Sequence, residues 1–439
     1  MICFMCNILH QSLKCNLQNR KVEFPLEKST ECVILPQETL FNCKCAINEN
    51  NLIKENKMSD YTMTSKTVHN AEGWQVETDS VCAFTTKGGA MTAPVTFKFA
   101  DGKTVQPYHV TPWQDENKGR MGNDCLKNLR GEFFCLPFGG NGDALNGEVH
   151  PCHGEVSGED WTLSDVKEEE NSVTMEYKFS MKARAGEVTK KIKLNYGETV
   201  LYLSDTVSGS HGDMPAGHHP IIRMPADGSK MYLSFGKFEK GLTSPGLFSN
   251  PDAKEYQYLA PGAEFTAVEK IPTIFKEPEF ADYSVYPTPY GYCDLFSVLK
   301  KPSDTPAWSA AVYPEEGFLW FVLKDASVLP MTSVWVSNSG RFGAPWNGRT
   351  YCVGVEDSCS YFAAGLKPSV EENELNKMGF PTALNFDKTT EIRMIQGVAE
   401  IPAGFGKVTD VRFENDTVTF LDVSGKTASV KCNYNFVMA

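Results

Sequence analysis

The chain reads as an all-β protein built of antiparallel strands, and three observations carry that reading. Val173, Met175, Tyr177, Phe179 and Met181 alternate with mostly polar residues along SVTMEYKFSMKA, the period-two pattern of a half-buried strand. Turn residues punctuate the 439-residue chain at short intervals, as antiparallel hairpins require. Only one segment, SVEENELNKMG, has the signals of a helix: Ser369 to cap it, Glu372 to complete a capping box and Gly379 to end it.

The elements follow in chain order. After SVTMEYKFSMKA comes EVTKKIKLNYGETVLYLSDTVSGS, rich in β-branched and aromatic residues, with NYGE as its hairpin turn. Further strands are expected at 308–314, 317–324, 331–338, 351–356, 391–398 and 408–414. The last of these belongs to VTDVRFENDTVTFLDV, which turns at Glu414–Asn415–Asp416. No internal repeat is evident. One large β-domain over 58–439 accounts for this pattern.

Residues 1–57 differ. They are rich in Asn, Cys and Lys, lack periodicity, and carry seven basic and six acidic residues. They read as a disordered or artefactual extension, with Met58 or Met63 as the natural start. MICFMCNILH has no preceding Lys or Arg and no small-residue cleavage site, so it makes a poor signal peptide. Six of the fourteen cysteines fall in this stretch, and the other eight show no framework spacing. That distribution suits free thiols in a reducing cytoplasm.

Hydrophobic residues make up 41% of the chain, enough for a large core. A formal net charge of −13 argues against a nucleic-acid partner, because phosphate binding needs clustered Lys and Arg. No apolar run of about 18 residues occurs, so no membrane span is expected. Oligomeric state is not legible.

Two histidines and a glutamate, each in a short polar signature beside a strand-like run, are the candidate chemistry. They are His153 in HPCHGEVSGEDW, His219 in AGHHPIIRMP and Glu356 in WNGRTYCVGVEDSCSYF. One carboxylate and two imidazoles on one face of a β-scaffold can move protons at neutral pH without a cofactor. In an extended segment His218 and His219 point to opposite faces, so only one of them can belong to the site. His150 and His153 form an HxxH pair, but a third ligand at useful spacing is missing, and no metal is expected. No GxSxG elbow, HExxH or dinucleotide fingerprint is present.

Four segments, in order over about residues 75–366, resemble the galactose mutarotase-like superfamily of aldose 1-epimerases and hexose-6-phosphate mutarotases. LRGEFFCLPFGG resembles its RGG-x-P-x-x-F-P-x-F-G stretch, with Arg130 at the arginine. HGEVSGEDW resembles HG-x-x-R-x-x-x-W, with His153 and Trp161 in place and Ser157 where the family has arginine. GHHPII resembles H-x-Y-F, with His219 at the histidine and Ile221 and Ile222 at the aromatics. GVEDSCSYF resembles the strand that delivers the glutamate.

The resemblance implies a large antiparallel β-supersandwich with a concave cleft for a small-molecule carbohydrate. It implies an isomerase that interconverts α and β anomers by acid–base ring opening, with Glu356 as base, His219 as acid and His153 as a donor to the ring oxygen or a neighbouring hydroxyl. Asp294 in YGYCDLFSVL matches the family's substrate-binding aspartate, and Arg130 would fork onto two sugar oxygens. Trp161, Trp346 and Trp113 are candidate platforms for the C–H face of a sugar. The glycine-rich SNSGRFGAPWNGR, with two arginines, would line the cleft beside Glu356; its Arg349 is either a substrate contact or the structural partner of Glu356. Ser157 and the Ile221–Ile222 pair speak for an alternative, a non-catalytic carbohydrate-binding protein on the same fold.

Overall fold

The computed structural model describes residues 60–116, 124–225 and 227–439. These all fall in one unit. The expectations for residues 1–57 lie outside the described residues.

Two large antiparallel sheets make the body. One has nine strands, in the order Val285–Tyr286, Met231–Phe235, Ala307–Tyr313, Phe318–Lys324, Thr390–Glu400, Val200–Ser208, Gly186–Asn195, Ser172–Met181 and Thr162–Glu169. The other has eight: Glu264–Phe265, Lys240–Thr243, Tyr292–Leu299, Met331–Asn338, Tyr351–Cys359, Ala216–His218 and Phe134–Cys135, with Ile221–Arg223 also paired to Tyr351–Cys359. An N-terminal five-stranded sheet over Thr62–Val105 and a C-terminal three-stranded sheet over Val408–Lys431 complete the layers.

The main core draws on Val173, Met175 and Tyr177 from one large sheet and Val334, Val353 and Val355 from the other. A second core packs the outer face of the nine-stranded sheet, through Leu319 and Phe321, against Val418 and Phe420 of the C-terminal sheet. Side chains alternate along each strand, so both sheets bury one face in the shared interior. The expected strands form within a residue or two of their limits, except that the one delivering Glu356 runs on to Cys359. The turn after Glu414 uses Asn415 and Asp416 at φ 49° and 54°, the left-handed conformation of a two-residue hairpin.

The expected helix is not continuous. It is two short pieces, Leu366–Val370 and Glu374–Lys377. Ser369 lies inside the first, and its hydroxyl accepts the Tyr361 amide at 3.0 Å. Asn373, rather than Ser369, caps the second piece, in a capping box with Asn376. No helix among the described residues is long and apolar enough to cross a membrane.

Candidate active site

The outward face of the eight-stranded sheet carries the candidate site. Trp335 pairs with both Leu295 and Gly354, and Ser333 pairs with Glu356, so cross-strand rows place Leu295, Trp335 and Glu356 on one face. His219 sits where the neighbouring ladder breaks. Ala216–His218 and Ile221–Arg223 both pair with Tyr351–Cys359, and between them Pro220 has no amide to donate. The His219 amide instead donates to the Phe133 carbonyl at 2.9 Å.

The side chains then converge. His219 Nε2 lies 3.1 Å from Glu356 Oε1. The His219 ring stacks on Phe133, with centroids 4.7 Å apart and planes 18° apart. His153 meets His219 edge to face at 4.9 Å. A cavity of about 210 Å³ opens over the three, lined also by Cys125, Leu126, Phe248, Trp335, Arg341 and Trp346. Exposed Gly140 stands at its rim.

His153 is held by its backbone. Its φ is +59°, in the left-handed region, and Gly154 follows at +79°. A Cβ on Gly154 would lie 1.8 Å from the Leu136 carbonyl oxygen, so only glycine lets the two segments approach this closely. The Gly139 amide donates to His153 Nδ1 at 3.3 Å. That leaves the proton of the neutral ring on Nε2, as a donor. Ser157, where the family pattern has arginine, closes the turn: its Oγ lies 3.0 and 2.9 Å from the carbonyls of Cys152 and Gly154.

The electrostatics follow from desolvation. Burial pushes the Glu356 carboxyl up to about 8, opposed by the positive charge of Arg341. Burial holds His219 well below the ordinary imidazole range, with His153 adding to the effect. His153, enclosed by Phe133 and Phe138, is lowered to about 4. The contacting carboxyl and imidazole therefore carry one titratable proton at neutral pH, held mainly by Glu356.

Arg341 is the cavity's cation. Its guanidinium packs over Trp346, Phe248 and Trp335 at 4.9, 5.2 and 5.8 Å from the ring centres. Its Nε is buried without a hydrogen bond and lies 3.6 Å from Glu255. Sequence reasoning marked the loop that carries Arg341 but chose Arg349. Arg349 instead forms a two-pronged pair with Glu116, away from the cavity and from Glu356.

Three other expected contacts belong to the scaffold. Arg130 is fully buried and donates to the carbonyls of Asn128, Val68 and His69 and to Gln114 Oε1, so its fork is spent on backbone. Asp294 accepts the amides of Tyr258 and Leu259 at 2.8 and 2.9 Å and the Tyr283 hydroxyl at 2.5 Å, and it does not line the cavity. Trp161 is a core residue whose Nε1 donates to the Val156 carbonyl. Of the tryptophans, Trp346 lines the cavity and Trp113 stands behind it, edge to face at 4.8 Å. His150 pairs with Glu148 at 2.5 Å rather than sharing a ligand with His153.

Solved structures share this architecture. A galactose mutarotase-like protein from Clostridium acetobutylicum matches with a TM-score of 0.53 and 12% identity, over 78% of this chain and 99% of that one. A candidate aldose 1-epimerase from Klebsiella pneumoniae matches at 0.52 and 13%, over 77% of this chain and 83% of that one. A candidate mutarotase from Salmonella typhimurium matches at 0.50 and 12%, over 77% and 94%. No family model and no curated protein matches the chain. The chain thus has the galactose mutarotase-like β-sandwich fold that the four sequence segments implied.

Proposed function

We propose that the protein is a cofactor-independent isomerase of the aldose 1-epimerase type, interconverting the anomers of a small-molecule sugar. The observation that carries this reading is the Glu356–His219 contact at 3.1 Å on the floor of a cavity, with His153 beside it. Ring opening removes the proton of the anomeric hydroxyl and adds one to the ring oxygen. A pair that holds a single proton can do both: ionised Glu356 accepts from the hydroxyl while protonated His219 donates to the ring oxygen. The charge-separated form of the pair has the same proton count as the neutral form, and Arg341 favours it by its attraction for the carboxylate. His153 donates from Nε2 to an adjacent sugar oxygen. Rotation about C1–C2 and reclosure then give the other anomer and restore the pair.

The test is polarimetry on freshly dissolved α-glucose, α-galactose and rarer aldoses. Acceleration over buffer, lost in Glu356→Gln, is the expected result. Binding without acceleration for every sugar would leave the alternative, a carbohydrate-binding protein on the same scaffold.

A further inference from the structure

We infer that the ligand of this cavity is a sugar acid, a carbohydrate bearing one carboxylate, and that the carboxylate pairs with Arg341. The inference takes from the proposed function only that this cavity is the ligand site. It needs neither the epimerase chemistry nor a fixed orientation of the sugar ring. Among the described residues, Arg341 is the one cation lining the cavity. Aromatic rings hold it in place: its guanidinium lies 4.9, 5.2 and 5.8 Å from the ring centres of Trp346, Phe248 and Trp335. Nε is buried without an acceptor, with Glu255 at 3.6 Å. The terminal nitrogens make no hydrogen bond to a described residue. Arg130, Arg184, Arg223 and Arg349, by contrast, each donate to a carbonyl or a carboxylate.

A guanidinium taken partly out of water with no acceptor forfeits hydrogen bonds. An oxyanion at its edge restores them, two at once where a planar carboxylate meets the fork. The titratable groups beside it do not oppose an anion. Burial pushes Glu356 up to about 8 and holds His153 and His219 low, so the three are mainly uncharged at pH 7. Glu255 does not line the cavity. Charge number then separates a carboxylate from a phosphate ester. The ester carries close to two negative charges at pH 7, and the described lining offers one cation. Ser157 stands where the family pattern has arginine; it does not line the cavity, and its hydroxyl is turned to the carbonyls of Cys152 and Gly154. The second charge of a phosphate would be left unpaired in a partly desolvated site, whereas a carboxylate is matched one to one.

The experiment compares each acid with its neutral counterpart on the full chain at pH 7. The pairs are D-glucuronate with D-glucose, D-galacturonate with D-galactose, and D-gluconate with D-glucitol, which place the carboxylate at either end of the molecule. Glucose 6-phosphate and inorganic phosphate are the other arms. Affinity is read by quenching of tryptophan fluorescence, since Trp335 and Trp346 line the cavity, and mutarotation of the cyclic sugars by exchange NMR. The expected result is at least one acid bound about tenfold or more tighter than its counterpart. Arg341→Gln should bring that ratio close to one, and Arg341→Lys should keep part of it. A ratio between two ligands on one sample does not depend on how much of the variant is folded. Acid preference with no acceleration of any sugar would sink the epimerase reading and keep this one; acceleration of neutral sugars with no acid preference would do the opposite. Three results overturn the inference: no acid preferred or bound, a preference unchanged in Arg341→Gln, or either phosphate bound more tightly than every sugar acid.

Discussion

The eight-stranded sheet has a glutamate and a histidine in contact on each of its faces, and the two pairs live in different surroundings. Outward, His219 meets Glu356 under a cavity. Inward, His218 Nδ1 lies 2.7 Å from Glu132, between the two large sheets. There Glu132 also accepts Gln396 Nε2 at 2.6 Å, and Gln396 in turn accepts the Tyr108 hydroxyl. Lys190 reaches Asp205 at 3.3 Å, and Asp205 stands 3.7 Å from His218. One row over, Asp357 bonds Thr332 at 2.6 Å and pairs with Lys324. The inward carboxylates thus have cations and hydrogen-bond donors from both sheets. For the outward pair, Arg341 is the charge that acts on the carboxyl, and burial pushes that carboxyl up. The same two residue types make a joint with partners from both sheets on one face and, in the function proposed above, a proton-exchanging site on the other.

Mutations break this comparison in order of size. Glu356→Gln should lower kcat/KM for mutarotation by roughly a thousandfold, with sugar affinity within about tenfold, as for a group used in the transition state. Its unfolding free energy should stay within about 1 kcal/mol of the parent, since the carboxyl it replaces is largely neutral at pH 7. Glu132→Ala should do the reverse: about 3–5 kcal/mol lost in urea unfolding, because His218 and Gln396 are left without their acceptor. If it unfolds no earlier than the parent, the inward pair is not a structural joint.

Asp294→Asn should cost about 1–3 kcal/mol of stability through the bonds to Tyr258, Leu259 and Tyr283 while leaving KM nearly unchanged. A large rise in KM would return Asp294 to the sugar. The pH profile sharpens the comparison further. Glu356 has a folded pKa raised to about 8, so the pair keeps its one working proton through neutrality and gives it up as pH rises past that value. kcat/KM should be flat near neutrality and then fall about tenfold per unit above pH 8; a rate that climbs there would mean the fully deprotonated pair is the active form. Smallest of all, Arg349→Ala should change neither rate nor melting temperature, because its pairing with Glu116 is an exposed surface contact.

Much of the scaffold was legible because alternation and turn chemistry are local. SVTMEYKFSMKA reads as a strand without knowing its neighbours, and Asn415–Asp416 reads as a turn from two residues. The helix was misread because capping signals at Ser369 and Asn373 compete, and only the surrounding packing selects Asn373. His153, His219 and Glu356 were legible as a set through motif order, and the opposition of His218 and His219 through strand geometry alone. Arg130, Asp294 and Trp161 misled because a motif brings a residue near a site without saying which partner captures it. Backbone amides and carbonyls from residues up to 62 positions away took Arg130 and Asp294 first. Arg341 and Arg349 share one loop and one residue type. What separates them is Glu116, 233 positions from Arg349, which no local pattern reveals.

Gly354 carries no functional group, yet it leaves the room in which Glu356 and His219 meet. A methyl there would stand 2.7 Å from Glu356 Oε1 and 3.3 Å from His219 Cε1, inside the room both side chains now share. The strand leaves that room empty of its own atoms, and the carboxyl leans back into it to reach the imidazole. An alanine at this position would thus act as a wedge, parting the two titrating groups with neither of them altered. Their protons would then come off independently, and the coupling itself becomes something a single added carbon can switch off.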